Sequence, residues 1–303
     1  TTGSYDPELN LMYWGTGNPG PDFSGDQRAG DNLYSNSVVA LDPDTGAMKW
    51  HFQFTPHDIF DYDSTQVPVL ADIEYQGRMR KVILWANRNG FWYVLDRTNG
   101  EFLSGKPFAK VTWTTGLDAK GRPQNVVNTT AEGTRVYPHL AGATNWYSPS
   151  YSPRTGLFYV PTWQDGSAIF ANRPAEYVEG RSFLGTFPVG TELSINGTQS
   201  NRRLPSGGHG AVLALDPKTG EKKWDFTMSD VTDAGILTTA SDLLFSGGRE
   251  GFFYALDART GQLLWKAPGA GIVQAAPMSY GINGRQYIAI AAGNTLYAYT
   301  LRQ

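Results

Sequence analysis

The stretch HDIFDYDSTQ, residues 57–66, contains Asp58, Asp61 and Asp63 beside a histidine. If DYD is an extended strand, Asp61 and Asp63 point to one face and Tyr62 points to the other. Two carboxylates at such range repel each other, and one takes up a proton unless a cation intervenes. A hard cation with oxygen ligands would remove the conflict. Short acidic triplets are also common in solvated loops, so the pattern alone leaves both interpretations open.

Three other short motifs carry polar groups suited to the same chemistry. Asn18, in GTGNPG, offers an amide oxygen that suits a hard ion, although turn asparagines are common in Gly/Pro contexts. Arg88, in ANRNGF, could pair with Asp61, or it could be a surface turn residue. Asn145 and Trp146, in GATNWYSP, offer an amide and an apolar wall with one N–H donor. Trp146 could equally pack between sheets.

A repeated phrase predicts the elements that position these residues. It reads ALDPDTGAMKW at 40–50, VLDRTNGEFL at 94–103, ALDPKTGEKKW at 214–224 and ALDARTGQLLW at 255–265. In each copy an apolar pair ends one strand, Asp starts a turn, and Gly supplies a positive φ. A second strand follows, so each copy is a β-hairpin.

The spacing of the repeat predicts an all-β fold, a β-propeller. Asp216 and Asp257 are 41 residues apart, which matches one four-stranded blade. We expect about four to five blades in one propeller segment, 1–303. Inserted loops without regular structure are expected at about 104–142 and 163–210, over the mouth of the propeller. The alternative is a β-sandwich with chance turn motifs.

Composition excludes several classes of function. The net charge is −3, with no concentrated basic surface, so no nucleic-acid partner is expected. The chain has no cysteine, which excludes disulfides and thiolate chemistry within it. No apolar run approaches the ~20 residues needed to span a bilayer. Because the sequence begins at Thr1 without a signal peptide, we expect a processed product, an excised segment or a fragment.

The longer motifs resemble a known family. The stretches at 3–22, 28–63 and 87–102 are similar to PQQ-dependent alcohol and methanol dehydrogenases, and the repeat resembles the tryptophan-docking motif of their eight-bladed propeller. The resemblance runs from Tyr5 to Leu301 and covers about the C-terminal half of the family's length. It implies a periplasmic enzyme that oxidises a primary alcohol to an aldehyde. Hydride would pass to pyrroloquinoline quinone (PQQ), a metal would polarise the quinone, and electrons would leave to a cytochrome c.

The resemblance also implies roles for the acidic pair. Asp61 matches the catalytic aspartate, which takes the hydroxyl proton as hydride leaves the alcohol carbon. Asp63 matches the extra acid of the lanthanide-dependent members, whereas calcium-dependent members carry a small neutral residue there. A lanthanide is therefore the expected metal, and Ca2+ is the alternative.

Further cofactor contacts are carried over in the same way. Asn18 matches the amide ligand of the metal, and Arg88 matches the basic residue that hydrogen-bonds the quinone oxygens. Asn145 and Trp146 match a cofactor-contacting pair. The chain departs from the family at 233–245, where many members place a Trp-Gly pair, and there only backbone amides near Ala234 and Gly235 are expected to reach the quinone.

The resemblance also implies that this chain lacks part of the family's site. The family's acidic metal ligand, a Glu, comes from the half of the propeller that this chain does not contain. A half propeller leaves unpaired sheet edges. We therefore expect that the N-terminal half completes the ring, that the chain self-associates, or that it has little activity alone. The competing hypothesis is a non-catalytic propeller scaffold that binds protein partners, but a scaffold does not require DYD, TGNP and NRNG together.

Overall fold

The computed structural model describes residues 2–189 and 208–301 of the chain. Its regular secondary structure there is entirely β-strand, which confirms the all-β prediction. Across this described part no helix is long and apolar enough to cross a membrane.

The strands vary from two to nine residues in length. In chain order they are β1 (Ser4–Asp6), β2 (Leu11–Gly15), β3 (Ser37–Leu41), β4 (Met48–Gln53), β5 (Val69–Tyr75), β6 (Arg78–Ala86), β7 (Phe91–Asp96), β8 (Phe102–Pro107), β9 (Gly116–Leu117), β10 (Pro123–Gln124), β11 (Thr134–Val136), β12 (Ser150–Ser152), β13 (Leu157–Gln164), β14 (Ala168–Ala171), β15 (Thr186–Val189), β16 (His209–Leu215), β17 (Lys222–Thr227), β18 (Leu237–Thr238), β19 (Leu243–Gly247), β20 (Phe252–Asp257), β21 (Leu263–Pro268), β22 (Met278–Ile282), β23 (Arg285–Ala292) and β24 (Thr295–Tyr299).

The chain divides into two compact units. Of the described residues, the first unit holds 2–146, 164–189 and 208, and the second holds 147–163 and 209–301. The first unit contains two four-stranded antiparallel sheets, β1-β2-β3-β4 and β5-β6-β7-β8. The second contains β12-β13-β16-β17, β18-β19-β20-β21 and the three-stranded sheet β22-β23-β24. Four-stranded antiparallel sheets are the repeating element of a propeller, as the repeat predicted.

Both segments predicted as inserted loops contain short strands. β9 pairs with β10 inside 104–142, and β11 of that segment pairs with β14 of the segment 163–210. β14 also pairs with β15, so strands from both insertions form one three-stranded sheet. These segments therefore have regular structure, which was not expected. Residues 190–207 of the second insertion lie outside the described residues.

The turn of the repeat has the hydrogen bonds that its sequence predicts. Oδ1 of Asp42 accepts the backbone N–H groups of Asp44 (3.0 Å) and Thr45 (3.2 Å). Gly46 follows with a φ of 72° and donates its N–H to the Asp42 carbonyl at 2.8 Å. Asp257 begins a turn with the same bonds. The aspartate and the glycine together close each hairpin.

Tryptophans of the repeat pack on glycines of the following repeat. A Cβ on Gly100 would lie 2.6 Å from Cε3 of Trp50, and one on Gly261 would lie 2.5 Å from Cε3 of Trp224. These glycines are therefore needed for two reasons, because their φ values of 79° and 73° are also positive. The contact links successive sheets within each unit.

This packing predicts different effects for the same substitution at two turns. Gly100→Ala combines the strain of a positive φ with a clash against Trp50, and we expect it to lower the free energy of unfolding by about 2–4 kcal/mol. Gly46→Ala is the matched control, because its φ is 72° and no atom lies within 4 Å of the added Cβ. We expect a loss of about 1 kcal/mol there. Urea unfolding measures both, and equal losses would show that the tryptophan contact contributes nothing.

Candidate functional site

The DYD triplet points its side chains as predicted, but it is not a strand. Asp61 has a φ of 60°, in the left-handed region, and residues 61–65 belong to no sheet. Asp61 and Asp63 nevertheless both contact Arg88. Tyr62 points away from them and is fully buried. The condition of an extended strand is therefore not met, although both carboxylates contact the same arginine.

Asp58 gives the loop its bend. Its carboxylate is buried, and it accepts the backbone N–H groups of Phe60 (2.9 Å) and Tyr62 (2.7 Å) as well as the side-chain amide of Asn36 (2.8 Å). Burial raises the pKa of Asp58 to about 6, against the lowering effect of these three hydrogen bonds. An aspartate that binds the amide two residues later is a local turn motif. The bond to Tyr62 N–H fixes the turn in which Asp61 takes its positive φ.

Tyr62 anchors the other side of the loop. Its ring packs against Phe60 and Trp113, with ring centroids 5.4 and 5.8 Å away, and its hydroxyl donates to the Pro138 carbonyl at 2.6 Å. Burial of this aromatic residue holds the backbone between the two aspartates in place. The carboxylates are therefore positioned by a packed core rather than by a free loop.

Arg88 lies in the turn between β6 and β7. Gly90 donates its N–H to the Asn87 carbonyl at 3.0 Å, and Asn87 donates its own N–H to the Phe91 carbonyl at 2.9 Å. The side chain of Asn87 is tied to Ser64, at 2.9 Å from its hydroxyl. Arg88 itself is 6% exposed, so it is not a solvated turn residue.

The guanidinium of Arg88 joins the two aspartates. Its Nη1 donates to Oδ2 of Asp63 at 2.5 Å, and its Nη2 donates to Oδ2 of Asp61 at 3.0 Å. Nε and Nη2 also donate to the Leu140 carbonyl, at 3.1 and 2.6 Å. Burial alone would lower the pKa of Arg88, but the charges of Asp61 and Asp63 raise it. In this structure Arg88 is the cation that lets the two carboxylates lie side by side.

The positive charge of Arg88 compensates the negative charges of Asp61 and Asp63 only in part. Burial raises the pKa of Asp61 to about 7, with the Asp63 charge adding to the rise and Arg88 opposing it. A carboxyl group with a pKa near 7 can take and release a proton at neutral pH, which is what a general base requires. The side chains of Asp61 and Asp63 are 20% and 25% exposed, so a small molecule can reach them.

Asn18 lies at the same site. Its backbone N–H donates to Oδ1 of Asp63 at 2.8 Å. Gly17 leaves room for this contact, because a Cβ there would lie 2.9 Å from the same oxygen. Nδ2 of Asn18 lies 3.4 Å from the Pro19 carbonyl. Burial raises the pKa of Asp22, and the nearby charge of Asp63 adds to the rise, against an opposing effect of the Asn18 side chain.

Two residues of this region were missed by sequence reasoning. Asp22 follows the TGNPG turn, where a single acid gives no signal of its partner. Arg28 links the two loops of the site, since its Nη2 donates to the carbonyl of Pro21 at 3.1 Å and to the carbonyl of Asp58. Neither contact has a sequence pattern, because each joins segments that only the fold brings together.

Asn145 and Trp146 follow the segment that supports Arg88. Gly142 has a φ of 81° and lies so close to Arg88 that a Cβ would be 2.2 Å from its Cγ. Nδ2 of Asn145 donates to the Ala141 carbonyl at 3.0 Å. Trp146 is 50% exposed, so it is not a buried packing residue.

Ala234 and Gly235 belong to the second unit. The amide of Ala234 donates to Oγ1 of Thr232 at 3.2 Å, and the carbonyl of Gly235 accepts Ser246 Oγ at 3.2 Å. The preceding residue, Asp233, is buried in a network of its own. It accepts hydrogen bonds from Tyr147 (2.7 Å), Arg249 (2.5 Å) and Gln274 (3.1 Å). The backbone amide of Ala234 is therefore already hydrogen-bonded within the protein, to Thr232.

The two histidines near these segments have structural contacts. Nδ1 of His57 lies 2.8 Å from the Gly30 carbonyl. His139 is buried, and its Nδ1 accepts the N–H of Ala141 at 2.8 Å.

The donor groups fit a hard cation in type but not in number. Asp61, Asp63 and Asn18 offer carboxylate and amide oxygens, which calcium-like ions prefer at six to eight positions. In the described part of the chain, no three acidic or histidine side chains converge as a metal-binding group. The residues that the structure describes therefore supply only part of a coordination shell.

Comparison with family models gives two matches. Residues 1–112 match "Glucose/ethanol/alcohol dehydrogenase, beta-propeller domain". Residues 208–303 match "Outer membrane protein assembly factor BamB".

Curated relatives match almost the whole chain. The quinohemoprotein alcohol dehydrogenase of Comamonas testosteroni is 41% identical over 96% of this chain and 41% of its own length. The quinoprotein alcohol dehydrogenase PedH of Pseudomonas putida is 39% identical over 96% of this chain and 48% of its own length. The chain thus spans less than half the length of either relative.

Solved structures agree with this family. The crystal structure of the Comamonas testosteroni enzyme has a TM-score of 0.85 at 38% identity, over 96% of this chain and 44% of the other. A europium-containing methanol dehydrogenase has a TM-score of 0.87 at 31% identity, over 96% of this chain and 50% of the other. With the fold, the sequence and these matches in agreement, the chain belongs to the quinoprotein alcohol dehydrogenase family, of which it covers the C-terminal half.

Proposed function

We propose that this chain is part of a PQQ-dependent alcohol dehydrogenase that oxidises a primary alcohol to an aldehyde. The observation that carries the proposal is the contact of one buried arginine, Arg88, with both Asp61 and Asp63 at 3.0 and 2.5 Å. The names of the relatives also support the proposal. One of them is a 1-butanol dehydrogenase (cytochrome c) from Thauera butanivorans, which is 41% identical over 87% of this chain.

Asp61 acts as the general base. Its carboxylate is partly exposed and its pKa of about 7 suits proton transfer near neutrality. It would take the hydroxyl proton of the alcohol while hydride leaves the adjacent carbon. When bound, PQQ would accept that hydride and a hard cation would polarise its carbonyl group.

Arg88 orients the base and stabilises negative charge. Its bonds to Asp61, Asp63 and the Leu140 carbonyl fix the guanidinium in one geometry. A fixed cation in a partly dry site stabilises charge that develops during a reaction without having to reorganise. Arg88 is therefore the group that we assign to the quinone oxygens.

The metal site would use Asn18, Asp61 and Asp63. A trivalent ion needs more negative charge than a divalent ion, so the second carboxylate favours a lanthanide, with Ca2+ as the alternative. The europium-containing neighbour supports this choice. Asn145 and Trp146 are proposed as the remaining cofactor contacts of the first unit and Gly235 as a contact of the second, whereas the amide of Ala234 is already bonded to Thr232.

The full site would need groups from outside this chain. The relatives are about twice as long, and among the described residues the last sheet, β22-β23-β24, has three strands, whereas the four sheets of the repeat have four each. Its side chains Met278 and Leu296 are 57% and 73% exposed. We propose that the N-terminal half of the propeller, or a second copy, completes the ring in the periplasm, and that a cytochrome c accepts the electrons.

The scaffold alternative has one observation in its favour. The match to the BamB family model covers residues 208–303. That segment contains none of Asn18, Asp61, Asp63 or Arg88, so it leaves the proposed chemistry of the first unit unexplained. The dehydrogenase is therefore the function that we propose.

Metal-dependent activity tests this proposal. The intact protein that carries this chain is loaded with PQQ and either La3+ or Ca2+, and reduction of a dye acceptor by a primary alcohol is followed. We expect activity with at least one ion, and we expect Asp63→Ala to lower La3+-supported activity about tenfold more than Ca2+-supported activity. Asp26→Ala, at an exposed acid outside the proposed site, should change neither. Loaded protein without activity would favour the scaffold.

A further inference from the structure

The turn that carries Arg88 in the first unit occurs again in the second unit, with an arginine at the same position. Arg88 lies between the second and third strands of the sheet β5-β6-β7-β8, and Arg249 lies between the second and third strands of β18-β19-β20-β21. In each turn the last residue is a glycine that donates its N–H to the carbonyl three residues earlier, at 3.0 Å within residues 87–90 and at 3.1 Å within residues 248–251. This glycine has a positive φ in both turns, of 94° and 80°. The two arginines therefore occupy equivalent positions in two repeated sheets.

Each arginine also binds an acid from the segment that leads into the first strand of its own sheet. Asp61 and Asp63 precede β5 and contact Arg88, and Asp233 precedes β18 and contacts Arg249. Arg88 uses Nη1 and Nη2 for its two aspartates. Arg249 uses Nε instead, which donates to Oδ2 of Asp233 at 2.5 Å. The second unit therefore repeats the pairing, but with one acid where the first unit has two.

The guanidinium of Arg249 is held in a fixed position. Asp233 is buried, and its carboxylate also accepts the hydroxyl of Tyr147 at 2.7 Å and the side-chain amide of Gln274 at 3.1 Å. The guanidinium carbon of Arg249 lies 5.1 Å from the centre of the Trp163 ring, within the range of a cation–π contact. Asp233 thus holds one edge of the guanidinium, and Trp163 supports one of its faces.

The Nη groups of Arg249 face no acceptor of the protein. Among the described residues, none accepts a hydrogen bond from Nη1 or Nη2, and the side chain is 23% exposed. Arg249 therefore uses one of the five N–H donors of a guanidinium. The two Nη groups of an arginine match the two oxygens of a carboxylate, and an arginine that is already fixed loses little freedom when it binds one.

We propose that the Nη edge of Arg249 binds a carboxylate group of a ligand. Two ligands of the proposed reaction supply this group, namely PQQ, which carries carboxylates of its own, and an alcohol substrate that ends in a carboxylate. Asp233 lies two residues before Gly235, a proposed cofactor contact, so the same segment serves both. The identity of the ligand rests on the proposed function, whereas the site itself rests on the contacts of the second unit.

Binding and kinetic measurements on the intact protein distinguish the two sources. In calorimetric titrations of La3+-loaded protein with PQQ, we expect Arg249→Gln to weaken binding by about 10- to 100-fold if the cofactor supplies the carboxylate. If the substrate supplies it, PQQ affinity should be unchanged. The ratio of KM for 6-hydroxyhexanoate to KM for 1-hexanol should then rise by about the same factor, because only the first alcohol carries a carboxylate.

Two further variants separate ligand binding from folding. Arg249→Lys can keep the ion pair with Asp233 but has no fork, so it should unfold at about the wild-type urea concentration and still weaken carboxylate binding by about three- to tenfold. Asp233→Asn combined with Arg249→Gln leaves no unpaired charge buried, so the double variant should fold. It should lose as much carboxylate binding as Arg249→Gln alone.

Arg154→Gln is the matched control for charge. Arg154 belongs to the same unit, is 56% exposed and pairs with Asp242, so its loss should change neither PQQ affinity nor the KM ratio. An effect equal to that of Arg249→Gln would overturn the site, because net charge alone would then be responsible. Unchanged PQQ affinity together with an unchanged KM ratio in Arg249→Gln would overturn the site and leave the proposed function in place. Wild-type protein that binds no PQQ and oxidises neither alcohol would contradict the proposed function as well.

Discussion

Asp61→Asn is expected to lower kcat of the loaded enzyme by about 10²- to 10⁴-fold, which is the usual contribution of a general base. The change is nearly isosteric, and the amide keeps an oxygen that can accept the Arg88 bond of 3.0 Å. What it loses is the ability to take a proton. Substrate affinity should change much less than kcat, because the proton moves only in the chemical step.

The pH dependence makes this prediction sharper. Asp61 must be ionised to act. Its pKa is about 7 without a bound cation, and the cation of the loaded enzyme lowers that pKa, so the wild-type rate should rise with pH at values below 7. The residual rate of Asp61→Asn should lose this rise. Asp31→Asn, which removes the exposed partner of Arg122, is the control and should retain the wild-type rate and profile. A wild-type profile in Asp61→Asn would assign the base to another residue.

Arg88→Met is expected to destabilise the protein by about 3–5 kcal/mol at pH 8, which is typical when one partner of a buried ion pair is removed. Arg88 is 6% exposed and contacts both aspartates, so its loss leaves two carboxylates without their cation. The methionine fills the volume but supplies no charge. Urea unfolding of the wild type and the variant measures the difference.

The loss should be smaller at pH 5, and the sign follows from proton linkage. The pKa of Asp61 is raised in the folded protein above its ordinary value of 3.8, so the folded state binds more protons than the unfolded state between about pH 4 and 7. Stability therefore falls as pH rises through that window. Without Arg88 the folded-state pKa rises further, and the fall becomes larger and extends to higher pH. Adding Asp61→Asn to Arg88→Met should recover part of the stability at pH 8. Equal losses at pH 5 and pH 8 would show that the pairing with the aspartates is not what Arg88 stabilises.

The repeated sheets could be predicted from sequence because their signals are local. Asp42 and Gly46 close a turn within five residues, and the Trp50 contact with Gly100 follows from the period of the repeat. The pairing of β11 with β14 could not be predicted, because these strands are three and four residues long and Arg135 lies opposite Ile169 across more than thirty residues. Such short strands acquire their structure from the fold around them.

The site was predictable in part for the same reason. The pairing of Arg88 with an acid follows from charge, but the shared contact of Asp61 and Asp63 depends on the bend that Asp58 fixes and not on strand spacing. The bend at Asp58 was not anticipated, because an aspartate within a run of acids gives no sign that its own carboxylate is buried and binds the backbone. Asp22 was missed because its proximity to Asp63 depends on the shape of a loop.

Anomalous diffraction from crystals of the intact protein soaked in La3+ tests the central claim most directly. The proposed site predicts a single strong peak bound by Oδ1 of Asn18 and by carboxylate oxygens of Asp61 and Asp63, with Arg88 close to but not ligating the ion. A peak away from these three residues, or the same aspartates still closed on Arg88 at a saturating lanthanide concentration, would contradict it.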